Sequence, residues 1–114
     1  VLSPFAARSR RWFRAPQGRL TRPMAAVLRA LNATHALGDS YADDWAIRDP
    51  ERVAAIYLRQ VQPGSVIIMH MPERGFREHT YDTIRLVLQG LSRRGLAAVT
   101  LGSLDRAARG GDGD

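Results

Sequence analysis

An α/β fold in which parallel strands alternate with helices is what this chain predicts, and three observations carry the expectation. The first is the run Ser65-Val66-Ile67-Ile68-Met69-His70, which follows Pro63-Gly64 and ends before Met71-Pro72-Glu73. Continuous apolar residues bounded by turn signals read as a strand buried on both faces. The second is a pair of helix openings, Thr21-Arg22-Pro23 and Asp49-Pro50-Glu51, where a capping side chain precedes an early proline. The third is spacing: helical stretches of ten to fifteen residues separate short apolar runs, the pattern of right-handed crossovers between parallel strands.

Taken in order, Arg11-Trp12-Phe13-Arg14 is a short strand candidate. A helix then runs from the Thr21 cap to about Leu31, with Met24, Val27, Leu28 and Leu31 on one face. Ala33 to Leu37 is a weaker strand closed by Gly38. The next helix opens at Asp49-Pro50 and continues to Gln60, with Val53, Tyr57 and Val61 on one stripe. After the Gly64–His70 strand and a polar loop from Pro72 to His79, a helix spans Thr80 to Arg94 with Tyr81, Ile84, Val87, Leu88 and Leu91 on its apolar face. Arg93 and Arg94 suit its negative end and Gly95 its left-handed stop. Leu96 to Leu101 reads as the last strand. The tail 109–114 lacks the apolar content to fold and is expected to be disordered.

Composition narrows the function classes. At 114 residues and 45% hydrophobic content the chain has room for one small domain or part of a larger one. No segment has the uninterrupted apolar length to cross a bilayer or the order of a secretion signal, and the absence of Met at position 1 suggests a fragment. There is no cysteine, which excludes disulfides and thiolate metal sites. The charge of +6 raises nucleic-acid binding. All seventeen basic residues are arginine, however, a skew that GC-rich coding explains more simply. The one local cluster, Arg8, Arg10, Arg11 and Arg14 with Arg19 and Arg22 behind, is interleaved with Trp12 and Phe13 and suits either a strand approach or a single-strand stacking platform.

Chemistry concentrates at His70. The carboxyl end of a buried strand in such folds is where loops converge on ligands, so an imidazole there is well placed to transfer protons. A lone histidine after an apolar run also suits a core or turn role. Arg14, Pro16-Gln17-Gly18, Asp44 and Trp45 have ordinary readings too: one more arginine, a turn, a solvated carboxylate beside Asp39 and Asp43, and a core anchor.

Together and in order, these stretches resemble the polysaccharide deacetylases, the NodB-homology or carbohydrate esterase family 4 domain. Phe13-Arg14-Ala15-Pro16-Gln17-Gly18 resembles the family's Arg-x-Pro-aromatic-Gly motif, Asp44-Trp45 its Asp-Trp motif, and Ile68-Met69-His70 its Leu-x-His motif. Gly90-Leu91 through Arg94-Gly95-Leu96 to Val99-Thr100-Leu101 and Leu104 is similar to its last helix and strand. The resemblance covers about residues 11 to 106. It implies the carboxyl-terminal part of a distorted (β/α) barrel, here residues 1–108, and metal-dependent N-deacetylation of an amino-sugar oligo- or polysaccharide of chitin or peptidoglycan type.

By the same resemblance, His70 protonates the departing amine, Asp44 holds the imidazole, and Arg14 orients a base aspartate. The Gln17 N–H, beside Pro16, assists at the oxyanion, while Trp45 and Ile68 wall the pocket for the acetyl methyl. The family's His-x-x-x-His, which with an Asp-Asp pair gives the base and the ligands of a divalent metal, zinc first, does not occur in this sequence; the one Asp-Asp pair, Asp43-Asp44, is the stretch that carries the Asp-Trp resemblance, and His35 and His79 stand in no ligand spacing. The isolated chain is therefore expected to be inactive and marginally stable. Two departures stand out: Gln17 replaces the usual aromatic, removing a sugar-stacking face, and Met71 follows the histidine. The expected partner is an N-acetylated sugar polymer, with no nucleic acid and no membrane segment. The rival readings are an inactive remnant of the deacetylase fold and an arginine-rich nucleic-acid-binding module.

Overall fold

The computed structural model describes residues 10–110 and is mixed α/β, with four helices and two small parallel sheets. The chain divides into two compact units, Val1–Leu37 with Thr100–Asp114, and Gly38–Val99. The expectations for Arg8 and for residues 111–114 lie outside the described residues.

In the first unit, β1 (Arg11–Phe13) pairs in parallel with β2 (Ala33–His35), Trp12 opposite Thr34. The crossover between them is α1 (Arg22–Ala30), capped as its sequence predicts: the Thr21 hydroxyl accepts from the Met24 N–H at 3.3 Å and Pro23 sits in the first turn. Leu28 and Ala15 are buried, whereas Val27 and Leu31 of the expected apolar stripe are exposed. The last element is α4 (Leu101–Gly110). This corrects two expectations, since Leu96 to Leu101 forms no strand, and Arg109 and Gly110 close a helix rather than begin a tail. The cause is Thr100, a β-branched residue that suits a strand but here caps a helix, its hydroxyl accepting from the Ser103 N–H at 3.2 Å. Asp105 on α4 pairs with Arg109 one turn on, at 3.1 Å, and with Arg10 at 3.5 Å.

The second unit holds β3 (Ser40–Tyr41), α2 (Pro50–Gln60), β4 (Ile67–Ile68) and α3 (His79–Arg93). β3 pairs in parallel with β4, Ser40 opposite Ile67 and Tyr41 opposite Ile68. Two polar residues were too short a signal to read as a strand. The helix between them opens where its sequence says: Asp49 Oδ1 accepts from the Arg52 N–H at 3.1 Å. Val53, Ala54 and Tyr57 of α2 meet Val87 and Leu91 of α3 in the core. Gly90 is small because the Leu58 side chain occupies the space a Cβ would take. The buried face of α3 is rotated from the expected one: Thr80, Thr83, Val87, Gly90 and Leu91 are buried and Tyr81 is 65% exposed. Threonine hydroxyls explain the shift, because Thr80 and Thr83 donate back to the carbonyls of Arg77 and His79 and so enter the interior satisfied.

The expectation of a strand buried on both faces is corrected as well. Residues Val66 to Met69 are half-buried and only Ile67–Ile68 form a ladder. β4 has one partner strand, and beside α3 it borders a cleft of about 280 Å³ lined by Ile67, Met69, Ile84, Leu88 and Ala98 among others.

Candidate active site

Parallel pairing of β3 with β4 aims both chains the same way, so the residues just past their carboxyl ends meet. Asp39 starts the alignment. Its Oδ1 accepts from the Val66 N–H at 2.7 Å and its Oδ2 from the Ser65 hydroxyl at 2.9 Å, while its own N–H donates to the Val66 carbonyl at 3.1 Å. These bonds favour the carboxylate and hold its pKa below the ordinary 3.8. Gly38 lets the chains close, because a Cβ there would collide with the Ile68 side chain.

At the other end stand Asp44 and His70. The Asp44 carboxylate is fully buried, with Oδ1 2.6 Å from His70 Nδ1 and Oδ2 accepting from the His70 main-chain N–H at 2.7 Å. An ionised carboxylate only accepts, so Nδ1 bears the hydrogen and Nε2 is the nitrogen left for chemistry. The ring is 46% exposed, so that nitrogen is reachable from solvent while its orienting partner is not. Of the three aspartates in this stretch, Asp44 therefore faces the imidazole. Asp39 serves the strand start, and the Asp43 carbonyl accepts from the N–H groups of Ala46 and Ile47 in a turn.

Two residues around this pair were not singled out as site residues from sequence. Tyr57, fully buried on α2, donates its hydroxyl to the Ile68 carbonyl at 2.7 Å, two residues before His70. Burial, and then the nearby Asp44 charge, push its pKa well above the usual phenol value. His79 at the start of α3 has Nε2 2.7 Å from the Asp44 main-chain carbonyl, which it reaches as a donor. Neither had a motif to mark it. The one signal for Tyr57 was a phenol on the apolar stripe of α2, where a buried hydroxyl needs a partner.

The remaining expected site residues divide between the units. Trp45 is 51% exposed, which removes its reading as a core anchor, and Ile68 packs its side chain where Gly38 leaves room. Both belong with Asp44 and His70 to the second unit. Arg14, Pro16 and Gln17 are exposed residues of the first. There the Gly18 and Arg19 N–H groups close a tight turn onto Ala15 and Pro16, and Gln17 sits at φ 55°, a left-handed conformation that costs a non-glycine residue on the order of 1 kcal/mol. Comparison with protein-family models and with curated proteins finds no match to this chain.

No three His, Asp or Glu side chains gather in metal-binding geometry among the described residues. His70 and His79 each commit a ring nitrogen to Asp44. The groups present among the described residues do not fit a metal centre of their own.

Charge is distributed unevenly. Among the described residues, the first unit has Arg10, Arg11, Arg14, Arg19, Arg22, Arg29, Arg106 and Arg109 against Asp105 alone. In the second unit arginines and carboxylates balance. A coding bias would account for arginine in place of lysine. It does not explain a shortage of acids confined to one unit.

Proposed function

We propose that this chain supplies the acid side of a metal-dependent N-deacetylase acting on an amino-sugar oligo- or polysaccharide of chitin or peptidoglycan type. One observation carries the reading: two residues picked from separate short motifs, Asp44 and His70, are in direct contact through a buried carboxylate and a half-exposed imidazole. In this reading protonated His70 gives its Nε2 proton to the departing amine, and Asp44 fixes the ring and offsets its positive charge. Arg14 orients the base, the Gln17 N–H donates to the developing oxyanion beside Pro16, and Trp45 and Ile68 bound the acetyl methyl. The base and the ligands of the metal, zinc first, come from sequence other than the 114 residues here, and the α/β units are the carboxyl-terminal part of a distorted (β/α) barrel.

The test is acetate release from N-acetylated oligosaccharides. A longer reading frame with an Asp-Asp pair and a His-x-x-x-His amino-terminal to Val1 is expected to encode an active enzyme that loses activity in His70→Ala. This chain alone is expected to release none. A longer enzyme indifferent to His70→Ala refutes the assignment. A frame without those motifs favours an inactive remnant.

The uneven charge favours a second reading, an arginine-rich nucleic-acid-binding module centred on the first unit. Exposed Phe13 and the cation–π pair of Arg10 over Trp12 at 5.9 Å add aromatic surface. Binding of a single-stranded oligonucleotide that weakens by orders of magnitude between about 50 and 200 mM salt supports it. No binding at the lower salt rejects it.

A further inference from the structure

We propose that His79 is a positioning residue for the His70–Asp44 pair, acting through the Asp44 main chain. The assignment of a catalytic consequence rests on the proposed function; the positioning itself does not. Asp44 is fully buried, so its carbonyl needs a partner inside the protein. The local turn does not provide one: Ala46 and Ile47 both direct their N–H groups to the Asp43 carbonyl. The partner is His79 Nε2 at 2.7 Å, from thirty-five residues further along the chain.

That bond fixes the peptide from which the Asp44 side chain springs. An aspartate has only two side-chain torsions, and here both carboxylate oxygens must land on His70 at once, one on the ring and one on the main chain. Such a two-point contact tolerates little movement of the Asp44 Cα. His79 is also the first residue of α3, whose Thr80, Thr83 and Val87 are anchored in the core. The helix start therefore serves as a fixed post. Tyr57 holds the Ile68 carbonyl two residues before His70, Asp44 holds His70 itself, and Asp44 is held in turn by His79.

Glutamine places an amide N–H at the reach of histidine Nε2, and methionine has similar length with no donor, so His79→Gln and His79→Met separate the hydrogen bond from the packing. Two signals of the chain itself are read by nuclear magnetic resonance: the His70 Nδ1–H resonance and hydrogen exchange of the His70 main-chain N–H. In His79→Met the ring signal is expected to broaden or vanish and the His70 amide to exchange about tenfold faster. Core amides of α2 serve as the internal reference and should keep their protection. His79→Gln should restore both signals. Leu28→Ala, a truncation of a buried residue of the first unit, should lower stability and leave both unchanged. Unaltered His70 signals in a folded His79→Met overturn the proposal. So does a folded His79→Gln that loses them, which decides the matter even where the methionine variant does not fold. Failure of the deacetylase reading would touch none of these signals.

Discussion

Asp44 grips His70 at two points, Oδ1 to the ring Nδ1 at 2.6 Å and Oδ2 to the main-chain N–H at 2.7 Å. Both contacts ask the side chain to accept. A buried carboxylate satisfies both and leaves the ring one tautomer, with Nε2 turned out.

Asparagine cannot reproduce that grip. With its oxygen toward the ring its amide confronts the His70 N–H donor to donor; flipped, it forces the hydrogen from Nδ1 to Nε2. Asp44→Asn is therefore expected to change the His70 tautomer, visible in long-range proton–nitrogen spectra of the imidazole. In an assembled deacetylase, Asp44→Asn and His70→Ala should each lower kcat about a hundredfold or more, with the double variant losing far less than the product of the two. Losses that multiply would mean the residues act separately.

The legible parts of the chain were those where one local rule suffices. Asp49-Pro50 and Thr21-Arg22-Pro23 open helices with the caps their side chains dictate. Asp44, singled out over Asp43 only by the tryptophan after it, is the carboxylate that meets His70. Sequence pattern and structure part where one residue type suits two states. Thr100 fits a strand by its branching and a helix cap by its hydroxyl, and the cap prevailed. Thr80 and Thr83 are polar by type, yet their back-bonded hydroxyls let them enter the core, turning α3 away from the apolar stripe through Tyr81. His79 was invisible because its partner is a main-chain carbonyl, which no side-chain pattern encodes.

Tyr57→Phe removes the hydroxyl that supports Ile68 and leaves a carbonyl unpaired, at a cost of about 1 kcal/mol in urea unfolding. It should also alter the alkaline limb. The folded protein raises the Tyr57 pKa, so the protonated phenol contributes stability in full below the unfolded value of about 10, and that contribution is lost as pH rises through the folded value. Wild type should lose stability above about pH 10 more steeply than Tyr57→Phe. Parallel curves would show that Tyr57 ionises as freely in the folded state as in the unfolded one.

Asp39 gives the opposite limb. Its carboxylate is stabilised by Val66 and Ser65, so its folded pKa lies below 3.8. The resulting stability is present above that ordinary value and disappears as pH falls through the folded one. Asp39→Asn should be less stable than wild type at neutral pH and converge with it in acid. A constant difference down to the acid transition would mean that the clamp does not depend on charge.

Gly38 and Gly64 should fail differently when replaced by alanine. Gly64 has φ +89° and open space around it, so Gly64→Ala meets only backbone strain, about 1–2 kcal/mol. Gly38 has no positive φ to protect; a Cβ there strikes the Ile68 side chain and crowds the Val66 carbonyl at 2.9 Å. Relief requires β3 and β4 to part, at about 1–3 kcal/mol. The energies overlap, so stability alone does not separate the two. Location does: parting the strands disturbs the alignment that runs from Asp39 to His70, and Gly38→Ala should expose the His70 main-chain N–H to exchange, whereas Gly64→Ala should lose stability with that amide still as protected as its neighbours. Equal protection of His70 in both variants, at matched stability, would show that the Asp44–His70 contact does not rely on the close approach of β3 to β4.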